Sequence, residues 1–281
     1  MNLWICPICN ERLNAVEGEW RCENGHSFDA AREGYVNLLV GRQKSGSKGD
    51  TREMLEARRR WFAEGFYEPL RTRLIDLVGD ADLSGRRPIV VAEAGCGEGY
   101  YIGGVSEAWP RAVCLGYDIA KDGARLAARR YPRVQFAVAD TNKGLPWSAG
   151  VVDVLLDVFA PRNAAEFARV ARPGGRLIVV VPTERHLAEL RAVRPLLAIQ
   201  PEKRQLVEAA MAADFKLESA ELLTVPMRPD AARIADLIGM TPNAWFTPRV
   251  GSVKLEQISQ LAVTAEFQIL VFVKNETREK A

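Results

Sequence analysis

The sequence predicts an α/β protein that consists of a Rossmann-like domain and a small N-terminal metal-binding domain. From residue 89 onward, apolar runs alternate with amphipathic segments, which is the pattern of a parallel sheet whose strands are joined by helices. The first of these runs ends in a turn with glycine at three alternate positions. Ahead of residue 40, three cysteines and a histidine fall into two close pairs, which is typical of a metal site.

Bulk properties limit the class of protein. A chain of 281 residues can hold one large domain and a small one. Its 48% hydrophobic and 26% charged residues are ordinary for a globular protein, and a net charge of +2 says little about partners. No apolar run is long enough to span a membrane and no secretory signal is evident, so we expect a cytoplasmic protein with no membrane partner.

Residues 1–40 contain the metal pattern C-x2-C-x12-C-x3-H, formed by Cys6, Cys9, Cys22 and His26. These residues supply four ligands for tetrahedral zinc and leave no open position for catalysis. The chain has five cysteines, and this odd number argues against a disulfide framework. We therefore predict a structural zinc ribbon, with RNA recognition as its hypothetical role. The alternative is three free thiols and an unrelated histidine.

Residues 41–85 are predicted to form a basic linker followed by helices. The Gly/Ser-rich run 41–50 carries three cations, which either follow RNA phosphates or belong to a solvated linker. Apolar residues recur at helical spacing over 51–79, and Gly65 and Pro69 divide this stretch into two helices. The arginine triplet 58–60 adds a cationic cluster.

The glycine turn lies between a predicted buried strand and a predicted helix. Gly95, Gly97 and Gly99 permit positive φ and a close approach of the backbone to a ligand, and the first amides of the helix favour an anion such as a carboxylate. In the dinucleotide pattern the last two glycines are two residues apart, so this turn differs from it. The spacing, with Glu93 just before it, resembles motif I of class I S-adenosylmethionine-dependent methyltransferases. A purely structural turn is the alternative.

Two further strand ends carry carboxylates. The second apolar run ends in Asp118, and an acidic residue at this place can accept hydrogen bonds from ribose hydroxyls. The third run ends in Asp140, which in the methyltransferase pattern lies at the adenine. The predicted cofactor-binding residues lie at these three strand ends and are Glu93, Gly95, Gly97, Gly99, Tyr100, Tyr101, Asp118, Asp140, Thr141 and Asn142.

Later strands complete a predicted domain over residues 86–281. A fourth strand covers 151–159, and an Arg-Pro-Gly-Gly turn leads into a fifth at 176–181. The apolar runs 217–225 and 264–273 suit a terminal antiparallel pair.

Together these motifs are similar to the 23S ribosomal RNA guanine-N1 methyltransferases. The matching segments occur in family order along nearly the whole chain: the zinc set, 28–29, 33–39, 49–50, 54, 57–59, 97–101, 160–161, 172–175 and 240–242. The resemblance implies a zinc-binding domain, a class I methyltransferase domain, S-adenosylmethionine, a 23S rRNA hairpin near the peptide exit tunnel as substrate and often a homodimer. One branch of the family gives resistance to the macrolide tylosin, and residues 159–163 resemble that branch.

The resemblance also implies residue roles. Cys6, Cys9, Cys22 and His26 would bind zinc. The three glycines would flank the methionine end of the cofactor, and Asp118 would hold its ribose. Asp140 lies where the family varies.

The catalytic group is not named by any motif. Guanine N1 lies on the Watson–Crick edge and carries a proton, so the base must be flipped out and the proton removed. No Asp-Pro-Pro-Tyr-like motif follows the fourth strand, which leaves Asp157, Arg162 and Asn163 as candidates. Asp157 could equally be a buried structural residue. His186 is expected to be a capping or surface histidine and not a base.

Trp245 and Phe246 are predicted to form part of the wall around the flipped base, with core packing as the alternative reading.

Two other functions remain open at this point. A methyltransferase acting on a small molecule would modify a metabolite but not RNA, and the zinc pattern and the arginine triplet speak against it. A non-catalytic zinc-dependent RNA-binding protein would fail to bind cofactor, and the glycine turn with Asp118 speaks against it.

Overall fold

The computed structural model describes residues 3–41, 49–81, 88–194, 196–245 and 259–276, apart from the side chain of Trp245. The predicted basic run at 42–48 and Phe246 therefore lie outside the described residues, and the roles predicted for them stay predictions. Among the described residues, no helix has the length and apolar character needed to cross a bilayer.

The strands are β1 (Asn14–Val16), β2 (Glu19–Arg21), β3 (Ser27–Asp29), β4 (Tyr35–Asn37), β5 (Val90–Ala94), β6 (Val113–Asp118), β7 (Gln135–Val138), β8 (Val152–Val158), β9 (Ala171–Pro182), β10 (Phe215–Met227) and β11 (Val263–Lys274). The helices are α1 (Arg52–Ala63), α2 (Glu68–Gly79), α3 (Tyr100–Ala108), α4 (Lys121–Arg130), α5 (Ala164–Val170), α6 (Ala188–Val193), α7 (Lys203–Met211) and α8 (Ala231–Gly239). Short 3-10 helices cover Thr141–Lys143 and Pro242–Trp245.

The large sheet has the order β10-β11-β9-β8-β5-β6-β7-β4. Its strands run parallel from β9 to β4, and β10 and β11 form an antiparallel pair on β9. The chain moves from β5 to β6 on one side and later places β8 on the other side. This reversal opens a crevice at the carboxyl ends of the strands, where ligands bind in such sheets. The Rossmann-like prediction and the terminal antiparallel pair are confirmed.

The zinc ribbon is joined to the large sheet, which the sequence did not indicate. Strand β4 pairs in parallel with β7, with Tyr35 opposite Phe136. The expected boundary at residue 40 therefore follows directly after a segment that shares a sheet with the second domain. The chain start also docks there, because the Ser148 amide donates to the Leu3 carbonyl at 3.0 Å.

Two tryptophans pack together where the zinc ribbon meets the large domain. Trp4 and Trp147 are buried, with ring centroids 6.2 Å apart. Both belong to the apolar core on one face of the sheet, together with the ribbon residues Leu3 and Leu13. The ribbon thus shares its core with the large domain.

The arginine triplet 58–60 lies in α1, the first of the two predicted helices, and two of its three side chains have partners within the protein. Arg58 donates to the Met240 carbonyl at 2.9 Å and pairs with Asp50 at 2.7 Å. Arg60 pairs with Asp236 of α8, also at 2.7 Å. Two of the three cations therefore hold α1 against α8, although Arg60 is exposed like Arg59.

The predicted Arg-Pro-Gly-Gly turn is an irregularity within β9. Ala171 pairs with Val152, and regular pairing resumes at Arg176 opposite Val154. The residues between them loop out, with Gly174 at φ +68°. The strand consequently begins five residues earlier than the sequence indicates.

Candidate active site and metal centre

The four predicted metal ligands converge. Their ligand atoms all lie within 4.8 Å of one another. His26 Nδ1 is 3.4 Å from Cys22 Sγ and 3.6 Å from Cys6 Sγ, and the Sγ atoms of Cys9 and Cys22 are 3.7 Å apart. A zinc tetrahedron with bonds of about 2.1–2.3 Å has edges of roughly 3.5–3.8 Å, so the donor set fits zinc.

The glycine turn between β5 and α3 adopts a backbone that other residues resist. Gly95, Gly97 and Gly99 have φ values of +67°, +53° and +77°. A Cβ on Gly95 would lie 2.6 Å from the Cβ of Ala160, which side chains never tolerate. The turn therefore needs glycine here, both for its backbone conformation and for its close packing against Ala160, the second residue after β8.

Asp118 braces this turn from the end of β6. Its Oδ2 accepts a hydrogen bond from the Gly97 amide at 2.8 Å, and its Oδ1 accepts one from the Ala120 amide at 2.7 Å. Burial raises the pKa of Asp118, although both amides oppose this shift. Each oxygen retains a second lone pair, so the carboxylate can still accept from a hydroxyl of a ligand.

Glu93 supports the same turn from inside. It is buried at the end of β5, and its Oε2 accepts a hydrogen bond from the Ile102 amide at 2.9 Å. Burial raises the pKa of Glu93 to about 8. This contact fixes the first turn of α3 to the sheet.

The third strand end lies beside the second. Asp140 Oδ1 accepts from the Asn142 amide at 3.0 Å, and the Thr141 hydroxyl is 2.9 Å from the Tyr117 hydroxyl. The Ala139 amide donates to the Asp118 carbonyl at 3.0 Å. The residues predicted for the ribose and for the adenine thus follow one sheet edge.

The two tyrosines after the turn point elsewhere. Tyr100 stacks on Phe62 with ring centroids 3.9 Å apart and its hydroxyl donates to Glu68 at 2.8 Å. Tyr101 lies edge-on to Phe62 at 6.0 Å. Their side chains pack against α1 and α2, so only their backbone amides are available to a ligand at the turn.

Glu98, inside the turn, is a buried acid without a partner. Its side chain is 2% exposed, and neither carboxyl oxygen has a hydrogen-bond partner among the described residues. Burial raises the pKa of Glu98 to about 7, against the pull of the Arg58 and Arg130 guanidinium groups. The folded protein therefore holds this proton more tightly than the unfolded chain does.

The raised pKa of Glu98 makes the free energy of unfolding depend on pH. A folded pKa above the unfolded one contributes stability that is complete below pH 4.5 and is lost as pH rises through about 7. We expect the melting temperature of Glu98→Gln to rise relative to wild type by several degrees between about pH 5 and about pH 8. Glu107→Gln, on the exposed side of α3, is the control. A constant difference across this range would contradict the assignment.

The catalytic candidates lie at the end of β8 but differ in access. Asp157 is fully buried, and burial raises its pKa to about 8 while Arg162 opposes the shift. Arg162 donates to Asp157 Oδ1 at 3.4 Å and to the Ala160 carbonyl at 3.3 Å. Its side chain is 28% exposed, so Arg162 is the member of this pair that a substrate can reach.

Asn163 is occupied at both polar ends. Its Oδ1 caps α5 by accepting from the Glu166 amide at 3.3 Å, and its Nδ2 donates to the Thr141 carbonyl at 3.3 Å. His186 is half-buried, with Nδ1 accepting from the Glu266 amide at 3.2 Å. Burial lowers the pKa of His186 to about 4, so its ring is neutral at pH 7. An exposed surface position was one of the two expectations for His186, and the structure does not place it there.

Phe159 is a feature that sequence reasoning missed. It follows β8 with φ +58°, which is unusual for a bulky residue, and 42% of it is exposed. No spacing or composition marks such a residue, because the conformation shows only in the folded chain.

The sheet order, the glycine turn and the carboxylates along one edge define a class I S-adenosylmethionine-dependent methyltransferase that carries a zinc ribbon. S-adenosylmethionine and zinc are its cofactors. Two family models match the chain in the same order: the N-terminal zinc ribbon of RlmA over residues 4–48 and a methyltransferase domain over residues 91–175.

Curated relatives narrow the class. The 23S rRNA (guanine(748)-N(1))-methyltransferase of Streptomyces fradiae is 38% identical, with 85% of each chain covered. Relatives provisionally named 23S rRNA (guanine-N(1)-)-methyltransferases come from Micromonospora griseorubida, at 38% identity over 86% of each chain, and Bacillus subtilis, at 32% over 97% of this chain and 98% of that one. The chain belongs to the 23S rRNA (guanine-N1)-methyltransferase family.

Proposed function

We propose that the protein methylates N1 of a guanine in a 23S rRNA hairpin near the peptide exit tunnel. One observation carries the proposal: β4 joins the zinc ribbon to the edge of the cofactor-binding sheet, beside β7. An RNA held by the ribbon would therefore be presented to the crevice at the strands' carboxyl ends. The family relatives support the RNA and the position of the methyl group.

The cofactor site is built from three strand ends. S-adenosylmethionine supplies an electrophilic methyl group when bound. The glycine turn would hold its methionine end, the free lone pairs of Asp118 would accept from the ribose, and residues 140–142 would border the adenine. Glu93 would act indirectly by fixing α3. The tyrosines at 100 and 101 would contribute backbone amides only.

Arg162 is the residue we assign to the guanine. Loss of the N1 proton places negative charge on N1 and O6, and a guanidinium beside O6 stabilises that charge. Asp157 accepts a hydrogen bond from Arg162 and positions its guanidinium. Because Asp157 is fully buried, it cannot contact a substrate directly. Asn163 orders the loop, because it ties the start of α5 to Thr141.

We expect Arg162→Ala to lower kcat for RNA methylation by about 100-fold, as loss of a charge-stabilising donor does in other enzymes. Without the cation, N1 gives up its proton at higher pH, so the pH–rate profile should move in the alkaline direction. Affinity for S-adenosylmethionine should not change. Arg176→Ala, at the opposite end of the sheet, is the control. A lower rate with an unmoved profile would contradict this role.

The proposed function is tested with labelled S-adenosylmethionine and 23S RNA, mapped by primer-extension stops. Methylated N1 blocks Watson–Crick pairing, so a stop beside one guanine of the hairpin is expected. A stop at the guanine that corresponds to position 748 would assign the tylosin-resistance branch. Methyl transfer to a metabolite but not to RNA would overturn the proposal.

Three further properties belong to the same proposal. We infer a cytoplasmic reaction, because ribosomal RNA is there, and a homodimer, because the family resemblance implies one. We also infer macrolide resistance when the gene is expressed in a sensitive host. Light scattering and an inhibition assay with tylosin test the last two.

A further inference from the structure

Phe159 combines two unfavourable features at one position. Its left-handed φ of +58° is strained for a bulky L-residue, and its ring is 42% exposed to solvent. The backbone is nevertheless pinned, because its amide donates to the Val180 carbonyl at 3.2 Å. Strain of this kind persists where the surrounding structure enforces it, and such sites cluster where ligands bind.

The ring of Phe159 packs against a cluster of aromatic side chains. Its centroid lies 5.2 Å from that of Phe267, which is buried. The ring centroid of Phe267 lies 5.0 Å from that of His186 and 5.2 Å from that of Tyr67. One side of the Phe159 ring therefore meets an aromatic cluster, and the remainder faces solvent.

The position of the ring relative to the methyl donor is fixed by its neighbours in the chain. The next residue, Ala160, packs directly against Gly95 of the glycine turn. Arg162, three residues on, reaches back to the Ala160 carbonyl. We assign the adenine end of the cofactor to the ends of β6 and β7, which lie on the other side of β5, so the cofactor's own base would not meet this ring.

We propose that Phe159 is the platform on which the target guanine stacks after it has left its helix. This inference rests on the proposed RNA methylation. A guanine on this ring would lie between the glycine turn and the guanidinium that we assign to O6. Stacking on an aromatic side chain changes binding of a base by roughly 5- to 150-fold. Phe159 would make this interaction only in the complex with RNA.

Two substitutions separate this role from a structural one. Glycine and asparagine accept left-handed φ more easily than phenylalanine, so Phe159→Gly and Phe159→Asn remove the ring and relieve the backbone. Thermal stability should stay equal or rise in both, and cofactor affinity should stay unchanged. The affinity of the hairpin RNA should fall roughly 5- to 150-fold. Phe159→Tyr should retain wild-type affinity, and Leu222→Ala, an exposed apolar residue of β10, should change nothing.

A hairpin with an abasic site at the target position completes a double-mutant cycle. Loss of the base should weaken binding to the wild type more than it weakens binding to Phe159→Gly, because only the wild type also loses the stacking contact. The ratio of the two effects should match the factor lost on removal of the ring from the complex with intact RNA.

Three results would overturn the proposal. The first is equal weakening of intact and abasic RNA by the substitution, and the second is wild-type turnover in Phe159→Gly. The third is a melting temperature that drops by several degrees in Phe159→Gly, which would assign the ring to folding. If the wild-type enzyme methylates no RNA, the proposed function fails, and this result is distinct from the others because it requires no variant.

Discussion

Replacement of Cys22 by serine is expected to abolish zinc binding and to lower RNA methylation by at least about 100-fold. The ribbon has three strands of three residues each, and its own apolar core is too small to fold without the metal. Structural zinc contributes about 10–16 kcal/mol in zinc-finger peptides. Without zinc, the ribbon would lose the surface that we propose presents RNA to the crevice.

Zinc stoichiometry and methyl transfer to hairpin RNA are the two measurements. Cofactor affinity should change by less than about tenfold, because the glycine turn lies between β5 and α3 and is not part of the ribbon. Cys114→Ala is the control, since Cys114 lies in β6 and outside the metal cluster. Full activity in a zinc-free Cys22→Ser protein would show that the ribbon does not present the substrate.

Replacement of Asp118 by alanine is expected to weaken binding of S-adenosylmethionine by at least about 100-fold. The carboxylate accepts from the Gly97 and Ala120 amides, and hydrogen bonds to charged groups contribute about 1.5–3 kcal/mol each. Its removal leaves both buried amides without an acceptor, so the glycine turn loses its shape. The ribose contact that we propose for this carboxylate would be lost as well, which adds to the effect.

Calorimetric titration of the cofactor checks this expectation. Asp118→Asn, which keeps one acceptor oxygen, should have an intermediate affinity. Asp122→Ala is the matched control, because Asp122 lies in the first turn of α4, its side chain is 45% exposed and it pairs with Arg125. The zinc content should equal that of the wild type in all three. Unchanged cofactor affinity in Asp118→Ala would remove this residue from the site.

Much of the fold could be predicted because its signals are local. The apolar runs, the alternate glycines and the carboxylates at strand ends lie within short stretches, and they mark β5, β6 and β7 correctly. The same holds for the zinc ligands, whose spacing fixes their pairing. Strand β4 could not be predicted, since three residues carry no periodicity and its partner lies about a hundred positions away.

Side-chain roles were less predictable than positions. The arginine triplet reads as a free cationic surface, but Arg58 and Arg60 bind groups of α8 and its C-terminal end that are distant in sequence. Tyr100 and Tyr101 follow the glycine turn, but helical geometry rotates their rings towards α1 and α2. In both cases the deciding contact forms only after the helices have packed.

The pairing of β4 with β7 has a consequence for biosynthesis. The ribosome produces the ribbon first, but the ribbon's partner strand and its Trp147 contact emerge about a hundred residues later. At about 5–20 residues per second this delay lasts roughly 5–20 s. During that interval the nascent ribbon has only its metal site and its three short strands to hold it together, so we expect its folding before β7 emerges to require zinc.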